Sequence, residues 1–429
     1  MDPAAPHDPY AALRVPDFRR YITARALFSV ATQIQGVVIS WQIFKLTGDP
    51  LALGLIGLAE AIPSITVSLY AGHVADSVRR KRIVVPAVLV LLLCAVTLWW
   101  LAHPLQVALL ERGRLLLPAF HATVVWPLYL VIFVSGIARG FLSPALFSFM
   151  PQLLPGREKL PNAITWSSTT WQASAVLGPA IGGLLLKYLS IEFAYGVDTV
   201  MEALALFFFI SIASRELPPV EGERLALGES IASGVKFIFS NQLVLAALAL
   251  DMFAVLFGGA VALLPFFAEK VLHDPGSFGN LRAAPAVGSV LMAVFLTFSP
   301  LRKGAGRKML WAVGGFGAAT VAFAFSTNLY LSLFLLFLTG VFDAVSVIVR
   351  STLVHTYTPE HMKGRVSAVN SIFIGSSNEI GSFESGTAAK VMGTVPSVAF
   401  GGLMTMAIVA FTAWRADQLR KLEMGAGKQ

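Results

Sequence analysis

Ionisable side chains lie within long apolar stretches of this sequence, where the neighbouring residues offer them few polar partners. Glu379, Asp343 and Arg139 each fall near the middle of such a stretch. An ionisable group in this position is costly unless it faces protein or water, so each one is a candidate functional residue. A carboxyl group in a poorly hydrated cavity can exchange a proton near neutral pH, and arginine can pair with a carboxylate or bind an anion. The chemistry indicated is proton exchange and charge pairing in an apolar environment.

The composition identifies that environment. Of the 429 residues, 56% are hydrophobic and 13% are charged, against roughly 25% charged in ordinary globular proteins. Apolar runs of about 20 residues can cross a bilayer as helices, and most of the chain consists of such runs. We therefore predict an integral membrane protein in contact with a lipid bilayer. The first 20 residues are polar and show no cleavable signal pattern, so the first apolar run is expected to remain as a helix.

The apolar runs predict an all-α fold with twelve transmembrane helices in two pseudo-symmetric six-helix bundles. The predicted spans are 21–45, 51–75, 83–102, 125–150, 164–187, 193–214, 243–268, 281–299, 308–326, 329–352, 366–389 and 396–414. The predicted organisation is a cytoplasmic N-terminal segment (1–20), a first bundle (21–214), a cytoplasmic linker (215–242), a second bundle (243–414) and a cytoplasmic tail (415–429).

The loop charges predict the orientation. Loops on the side that holds both termini carry 22 Lys and Arg residues, and the opposite loops carry 7. Cytoplasmic loops are enriched in these residues, so both termini are predicted to be cytoplasmic. Topology thus accounts for the net charge of +8 without a nucleic-acid partner.

The turn between the second and third predicted spans carries a motif, GHVADSVRRKR. Its residues Gly72, Asp76, Arg80 and Lys81 resemble the cytoplasmic signature of the major facilitator superfamily. The resemblance implies a gate that latches the two halves while the protein opens outward, with Asp76 meeting the positive end of a neighbouring helix. The simpler interpretation of the basic run is that it enforces topology.

A second motif, SAVLGPAIGG, lies in the fifth predicted span. Gly178, Pro179, Gly182 and Gly183 let neighbouring helices approach closely. The pattern is similar to the fifth-helix motif of proton-driven exporters of the same superfamily, and the alternative is a helix-packing face without that role. Three further stretches, DFRRYITARALFSVATQIQ, TGDPLALGLIGLAEAIP and TPEHMKGRVSAV, resemble the enterobactin-exporter and macrolide-efflux branch. This resemblance implies a drug:proton antiporter in the inner (plasma) membrane of a bacterium.

The charged and polar residues of the spans supply site candidates. The proton-coupling candidates are Glu379, Asp343, Glu60 and Asp251, and the substrate-binding candidates are Arg139, Gln33, Trp171 and Asn378. Glu379 lies beside one helical face of small and polar residues formed by Ser371, Gly375, Asn378, Ser382 and Ser385.

Alternatives remain open for each charge. Glu379 and Glu60 also fit structural roles, and Asp251 fits an inner gate. Arg139 could pair with Asp343 across a cavity, bind an acidic substrate, or neutralise another carboxylate. Asp198 and Glu202 fall on a helix predicted to be peripheral, where we expect them to pack against the second or fourth span.

Other protein classes lack their signatures here. The sequence has no phosphate-binding GxxxxGK[ST] motif and no histidine spacing typical of a metal site, so no cofactor and no enzymatic activity are predicted. We expect a monomeric exporter that exchanges protons for a small amphipathic molecule. The alternatives are an uptake carrier or lysolipid flippase of the same fold, and a membrane sensor that transports nothing.

Overall fold

A computed structural model describes residues 8–103, 125–213, 227–299, 304–359 and 362–423. Within these ranges the regular structure is helical. In chain order the main helices are α1 (Pro16–Thr47), α2 (Pro50–Ser77), α3 (Lys81–Leu101), α4 (Trp126–Phe149), α5 (Leu160–Tyr188), α6 (Ile191–Ser211), α7 (Leu227–Ser240), α8 (Gln242–Phe257), α9 (Phe278–Phe298), α10 (Ala305–Ala324), α11 (Leu329–Tyr357), α12 (Lys363–Met392) and α13 (Thr394–Arg415). Short 3₁₀, α and π turns continue α8 as far as Val271.

Every predicted span overlaps one of these helices, and the predicted all-α membrane fold is confirmed. Nine stretches of the described ranges are long and apolar enough to cross a membrane. The helices α5, α10 and α12 are not among those nine, so the count of twelve spans stays a prediction. The predicted linker 215–242 contains α7, which packs against α8 and α12.

Local sequence signals set several helix ends. Ser190, Asn241 and Asn328 each accept a hydrogen bond from the backbone N–H three residues further on, and thereby start α6, α8 and α11. At the end of α1, Gly48 adopts a left-handed conformation with φ of 61°, which glycine reaches without steric cost. This turn lets α2 begin at Pro50 and run antiparallel to α1.

The two halves use equivalent helix pairs. In the N-terminal half α2 packs on α4, and α3 packs on both α4 and α6. In the C-terminal half α9 packs on α11, and α10 packs on both α11 and α13. The repeated pattern places α1, α2, α4 and α5 opposite α8, α9, α11 and α12.

The halves meet mainly through α2 with α12 and α5 with α9. Aromatic residues near the end of α1 also contact the C-terminal half: Trp41 stacks on Phe278 with ring centroids 5.4 Å apart, and Phe44 is edge-on to Phe266 at 4.7 Å. Phe278 begins α9 and Phe266 lies in the turns that continue α8, on the side of the molecule away from both termini. We call this side the outer end.

Both terminal segments pack on the opposite side. The Pro9 carbonyl accepts hydrogen bonds from Asn162 Nδ2 at 2.7 Å and from Trp166 Nε1 at 3.0 Å, which ties the N-terminal segment to the start of α5. Near the C-terminus, Leu419 and Leu422 are buried in an apolar cluster that includes residues of α8, α10 and α11. The described residues before and after the main helices are therefore part of the fold.

Candidate transport site

A central cavity of about 780 Å³ lies between the two halves. Its lining comes from both halves, including α1, α2, α4, α5, α8, α9, α11 and α12. Five charged residues face it: Glu60, Arg139, Arg282, Asp343 and Glu379. A volume of this size is typical of small-molecule sites, and its mixture of signs distinguishes it from the apolar helix surfaces around it.

The charge pair of the N-terminal half joins α2 and α4. Arg139 Nη1 forms an ion pair with Glu60 Oε1 at 2.5 Å, and both side chains are about a quarter exposed. Gly136 brings the two helices together, because a Cβ there would lie 3.0 Å from the Glu60 carbonyl oxygen. Arg139 therefore neutralises another carboxylate, which was one of the alternatives left open. None of the ion pairs among the described residues involves Asp343.

Arg139 also reaches deeper into its own half. Its Nη2 donates to Gln35 Oε1 at 3.0 Å, and Gln35 Nε2 donates to Asp198 Oδ2 at 3.1 Å. Gln35 thus connects the cavity to a carboxylate on α6. The expectation that Asp198 and Glu202 pack against the second or fourth span is wrong for Asp198, whose direct contact is with α1.

Glu379 stands on the other wall, on α12. The backbone of α12 packs very closely on α2 at this residue: a Cβ added to Gly57 would lie 2.5 Å from the Glu379 carbonyl oxygen. This contact fixes the position of Glu379. The charges of Glu60, Arg139 and Arg282 all act on its carboxylate. Glu379 is therefore the point where charges from both halves meet.

Arg282 is the cavity residue that sequence reasoning missed. It was counted among the outer-loop cations, because it is only the second residue of the predicted eighth span, 281–299. The structure begins α9 at Phe278, so Arg282 is in its second turn. Its guanidinium lies 3.4 Å from the place of a Cβ on Gly36 and interacts electrostatically with Glu379 and Glu60. The signal was Pro275 a few residues earlier, a residue that favours the first turn of a helix.

The remaining cavity candidates lie where the sequence placed them. Gln33, Trp171 and Asn378 all line the cavity, and Trp171 is half exposed. Of the polar face predicted on α12, Gly375, Asn378 and Ser382 line the cavity. The side chain of Ser371 lies outside the described part of the chain.

Asp251 is not part of the cavity lining. It is 4% exposed and forms an ion pair with Arg350 of α11, while Ser346 Oγ donates to its other carboxylate oxygen at 3.2 Å. Both partners belong to the C-terminal half. This geometry favours a structural role for Asp251 over the predicted role in proton coupling.

The predicted gate motif is described only in part. The backbone of α2 includes Gly72 and Asp76, but their side chains lie outside the described residues. Arg80 is buried at the start of α3. Lys81 Nζ donates to the carbonyl oxygens of Ile210 and Ile212, so it binds the carboxyl end of α6 in its own half.

The glycine motif of α5 packs against two helices. Gly178 and Gly182 face α1, where added Cβ atoms would contact Gln33 and Val37. Gly183 faces the other half, and a Cβ there would collide with the backbone of Gly279 on α9. The motif therefore packs α5 against α1 of its own half and, at the outer end, against α9 of the opposite half.

The fold and the cavity define a membrane transporter with two symmetry-related halves. The family model described as Major Facilitator Superfamily matches residues 22–382. The chain belongs to this superfamily.

Curated relatives include the enterobactin exporters EntS of Shigella boydii serotype 18 and of Escherichia coli O81. Each is 26% identical to this chain over 364 residues, which cover 82% of this chain and 80% of the relative. Among solved structures, a D-xylose–proton symporter matches with a TM-score of 0.71 at 12% identity, covering 96% of this chain and 100% of that one. A nucleoside transporter, NupG, matches with a TM-score of 0.68 at 13% identity, covering 94% and 99%.

These comparisons establish the class. The protein is a multi-pass membrane transporter for a small molecule, and its relatives and structural neighbours are transporters rather than enzymes. At these identities the solved neighbours support the fold alone.

Proposed function

We propose that the protein is a secondary active exporter that exchanges protons for a small amphipathic molecule such as a siderophore or a drug. The observation that carries the proposal is Glu379. This carboxylate on one half lies within the field of two arginines, Arg139 and Arg282, in a cavity shared by both halves. The similarity to enterobactin exporters and the glycine motif of α5 support export over uptake.

The predicted orientation places the outer end, where the two halves are in contact, on the external side of the membrane. With both termini in the cytoplasm, as the loop charges predict, the aromatic contacts between α1 and the C-terminal half close the external side. Trp171 and Gly375, on the lining nearer the termini, are exposed. The described conformation is then one that receives substrate from the cytoplasm, in the inner membrane of a bacterium.

The exchange follows from competition for one site. A proton on Glu379 cancels the carboxylate charge that holds Arg139 and Arg282. The field of Arg139 and Arg282 favours the ionised form of Glu379, and an ionised carboxylate accepts hydrogen bonds from O–H or N–H groups of a substrate. A substrate that enters from the cytoplasm and binds Glu379 in this way, with its apolar body on Trp171, therefore displaces the proton. One proton charge moving across 100 mV supplies about 2.3 kcal/mol, and a pH gradient adds to this. Asp343, without an ion pair among the described residues, is the second candidate for the same role.

The substrate class is inferred from the lining. Arg139 and Arg282 offer two guanidinium groups to acidic or phenolic oxygens, while Trp171, Phe316 and Phe323 offer apolar surface. Neutral donors and acceptors come from Gln33 and Asn378. Such a lining suits a ligand with a polar rim and an aromatic or aliphatic body.

The first test measures proton release on ligand binding. Purified protein in weak buffer is mixed with a catecholate siderophore, a macrolide, a lipophilic cation or a lysolipid, and the pH is recorded. We expect at least one ligand to release protons from the wild type and not from Glu379→Gln, because the amide has no proton to lose at this pH. The matched control is Glu384→Gln, since Glu384 lies on the same helix but outside the cavity lining.

The outcomes separate the alternatives. Equal proton release from the wild type and from Glu379→Gln would contradict the role of Glu379. The same measurement on Asp343→Asn would then test the second candidate. Binding without proton release by the wild type would contradict proton exchange and favour a lysolipid flippase or a carrier driven by another ion.

A further inference from the structure

A second cluster of charges lies behind the cavity wall, on α6. Asp198 and Glu202 are one helical turn apart, and they are 0% and 1% exposed. They face α1 and α3, the helices on which α6 packs. Two fully buried carboxylates are unusual on a helix whose other side carries exposed apolar residues such as Phe207 and Ile210.

These carboxylates share their counter-charge with the cavity. Arg139 interacts electrostatically with Glu202 and with Asp198, while it forms its ion pair with Glu60. Three carboxylates therefore surround one guanidinium. If all three were ionised, the cluster would hold excess negative charge inside an apolar bundle, and an uncompensated buried charge costs several kcal/mol.

The hydrogen bonds point the same way. Asp198 Oδ1 and Glu202 Oε2 are buried and have no hydrogen-bond partner among the described residues. Arg139 Nε is likewise buried without an acceptor there. The neighbouring titratable groups are Tyr195 on α6 and Cys94 on α3, and the Tyr195 hydroxyl donates to Gln42 at 2.8 Å. A proton on the pair removes one buried charge and supplies an O–H donor on carboxyl groups that each have one oxygen without a partner among the described residues.

We propose that Asp198 and Glu202 together hold one proton and form a second proton-binding site, linked to the cavity through Gln35 and Arg139. The link is a continuous chain from Glu60 to Arg139, Gln35 and Asp198, with hydrogen bonds of 2.5, 3.0 and 3.1 Å. Arg139 is the shared element. When Glu60 is ionised it holds Arg139, and the pair on α6 keeps its proton. When Glu60 loses its charge, Arg139 compensates the pair on α6 and its proton is released.

The presence of the proton can be tested without any ligand or transport assay. The infrared spectrum of the purified protein reports a protonated carboxyl group through its carbonyl stretch, which shifts in heavy water. Glu379→Gln and Asp343→Asn are first combined, so that these cavity carboxyls contribute no signal. In this background we expect a protonated-carboxyl band at neutral pH that is lost in Asp198→Asn and in Glu202→Gln. The matched control is Glu192→Gln, in the first turn of the same helix, which should leave the band intact.

A band of the same intensity in all these proteins, or no band in the background protein, would overturn the proposal. Because the Asp198 and Glu202 variants can fail to fold, carbon-13 labelling of aspartate or glutamate in the background protein gives a second measurement. A band that moves with neither label contradicts the assignment.

The link to the cavity has its own test. Glu60→Gln removes the main competitor for Arg139, so the guanidinium becomes available to Asp198 and Glu202 and the band should lose at least half its intensity. An unchanged band in Glu60→Gln would overturn the link. Only the role of the pair in transport rests on the proposed function, whose failure would appear in the ligand experiment and not in the infrared spectrum.

Discussion

Arg139 and Arg350, two arginines within the helical bundle, have opposite surroundings. Arg139 faces a cavity and divides its donors between Glu60 and Gln35. Arg350 is 5% exposed and is committed to Asp251. A guanidinium with several partners can redistribute its bonds when one partner gains a proton, whereas a sealed one-to-one pair has no alternative. Movement of charge is therefore expected at Arg139, and fixed structure at Arg350.

The buried ion pair of Arg350 and Asp251 leads to a prediction on stability. Replacing Arg350 by methionine leaves the buried Asp251 carboxylate uncompensated, and breaking such a pair typically costs about 3–5 kcal/mol. We expect a marked loss of thermal stability in detergent for Arg350→Met, measured by unfolding monitored on the tryptophan fluorescence.

The double variant Asp251→Asn/Arg350→Met is the control, because it removes both charges together. It should recover most of the stability and should still release protons on ligand binding. Loss of proton release in a folded double variant would show that Asp251 takes part in coupling after all.

At the scale of helices, the contact between α5 and α9 depends on two glycines. Gly183 and Gly279 face each other so closely that a Cβ on either meets the backbone of the other. Small residues of this kind let helices approach within a membrane. Any side chain at Gly183 must therefore separate α5 from α9 at the outer end.

We predict that Gly183→Ala opens the outer end. In a protein whose single native cysteine, Cys94, is replaced by alanine, a cysteine introduced at Ser40 in the cavity lining reports access. A membrane-impermeant thiol reagent added to intact cells should label it several-fold faster in Gly183→Ala. Gly196→Ala is the matched control, since a Cβ there has its nearest neighbour, Trp99, at an ordinary 3.7 Å. Equal labelling in the three proteins would contradict a sealing role for Gly183.

The sequence predicted the positions of the helices better than it predicted the side-chain contacts between them. Apolar runs located the predicted spans close to helices of the structure, because this signal is local. Arg282 was missed because it is the second residue of the predicted span and was counted with the loop, whereas α9 starts three residues earlier, at Phe278. The partner of Arg139 was left open, and the neighbour of Asp198 was wrong, because the rotation of each helix about its axis depends on contacts remote in sequence.

At the scale of the whole molecule, two ion pairs among the described residues cross between the halves at the outer end. Lys45 Nζ on α1 bonds to Glu269 Oε2 at 2.5 Å, and Lys390 Nζ on α12 bonds to Asp49 Oδ2 at 2.7 Å. The lysine belongs to the N-terminal half in the first pair and to the C-terminal half in the second. Both lysines are about half exposed, so each bond is expected to be weak and readily broken.

We predict that reversing the charge of Lys45 shifts the protein toward a conformation that is open at the outer end. Lys45→Glu places two carboxylates together and should raise external access to a cysteine at Ser40. An exposed pair is worth about 0.2–1 kcal/mol, which corresponds to a change of up to about fivefold. The exchange variant Lys45→Glu/Glu269→Lys should return the labelling rate to that of the parent. A rate that stays raised in the exchange variant would contradict the ion pair as the cause.

The outer end also contains a second backbone contact, between Gly54 of α2 and Gly386 of α12, where a Cβ on Gly386 would lie 2.7 Å from the Gly54 Cα. With Gly183 and Gly279, it gives the closed state two crossing points made of residues that have no rotamers to lose. Ordering a long side chain costs up to about 2 kcal/mol of conformational entropy, and these contacts avoid that cost. The contact can therefore form and separate without ordering any side chain, which suits the repeated opening and closing of the proposed exporter.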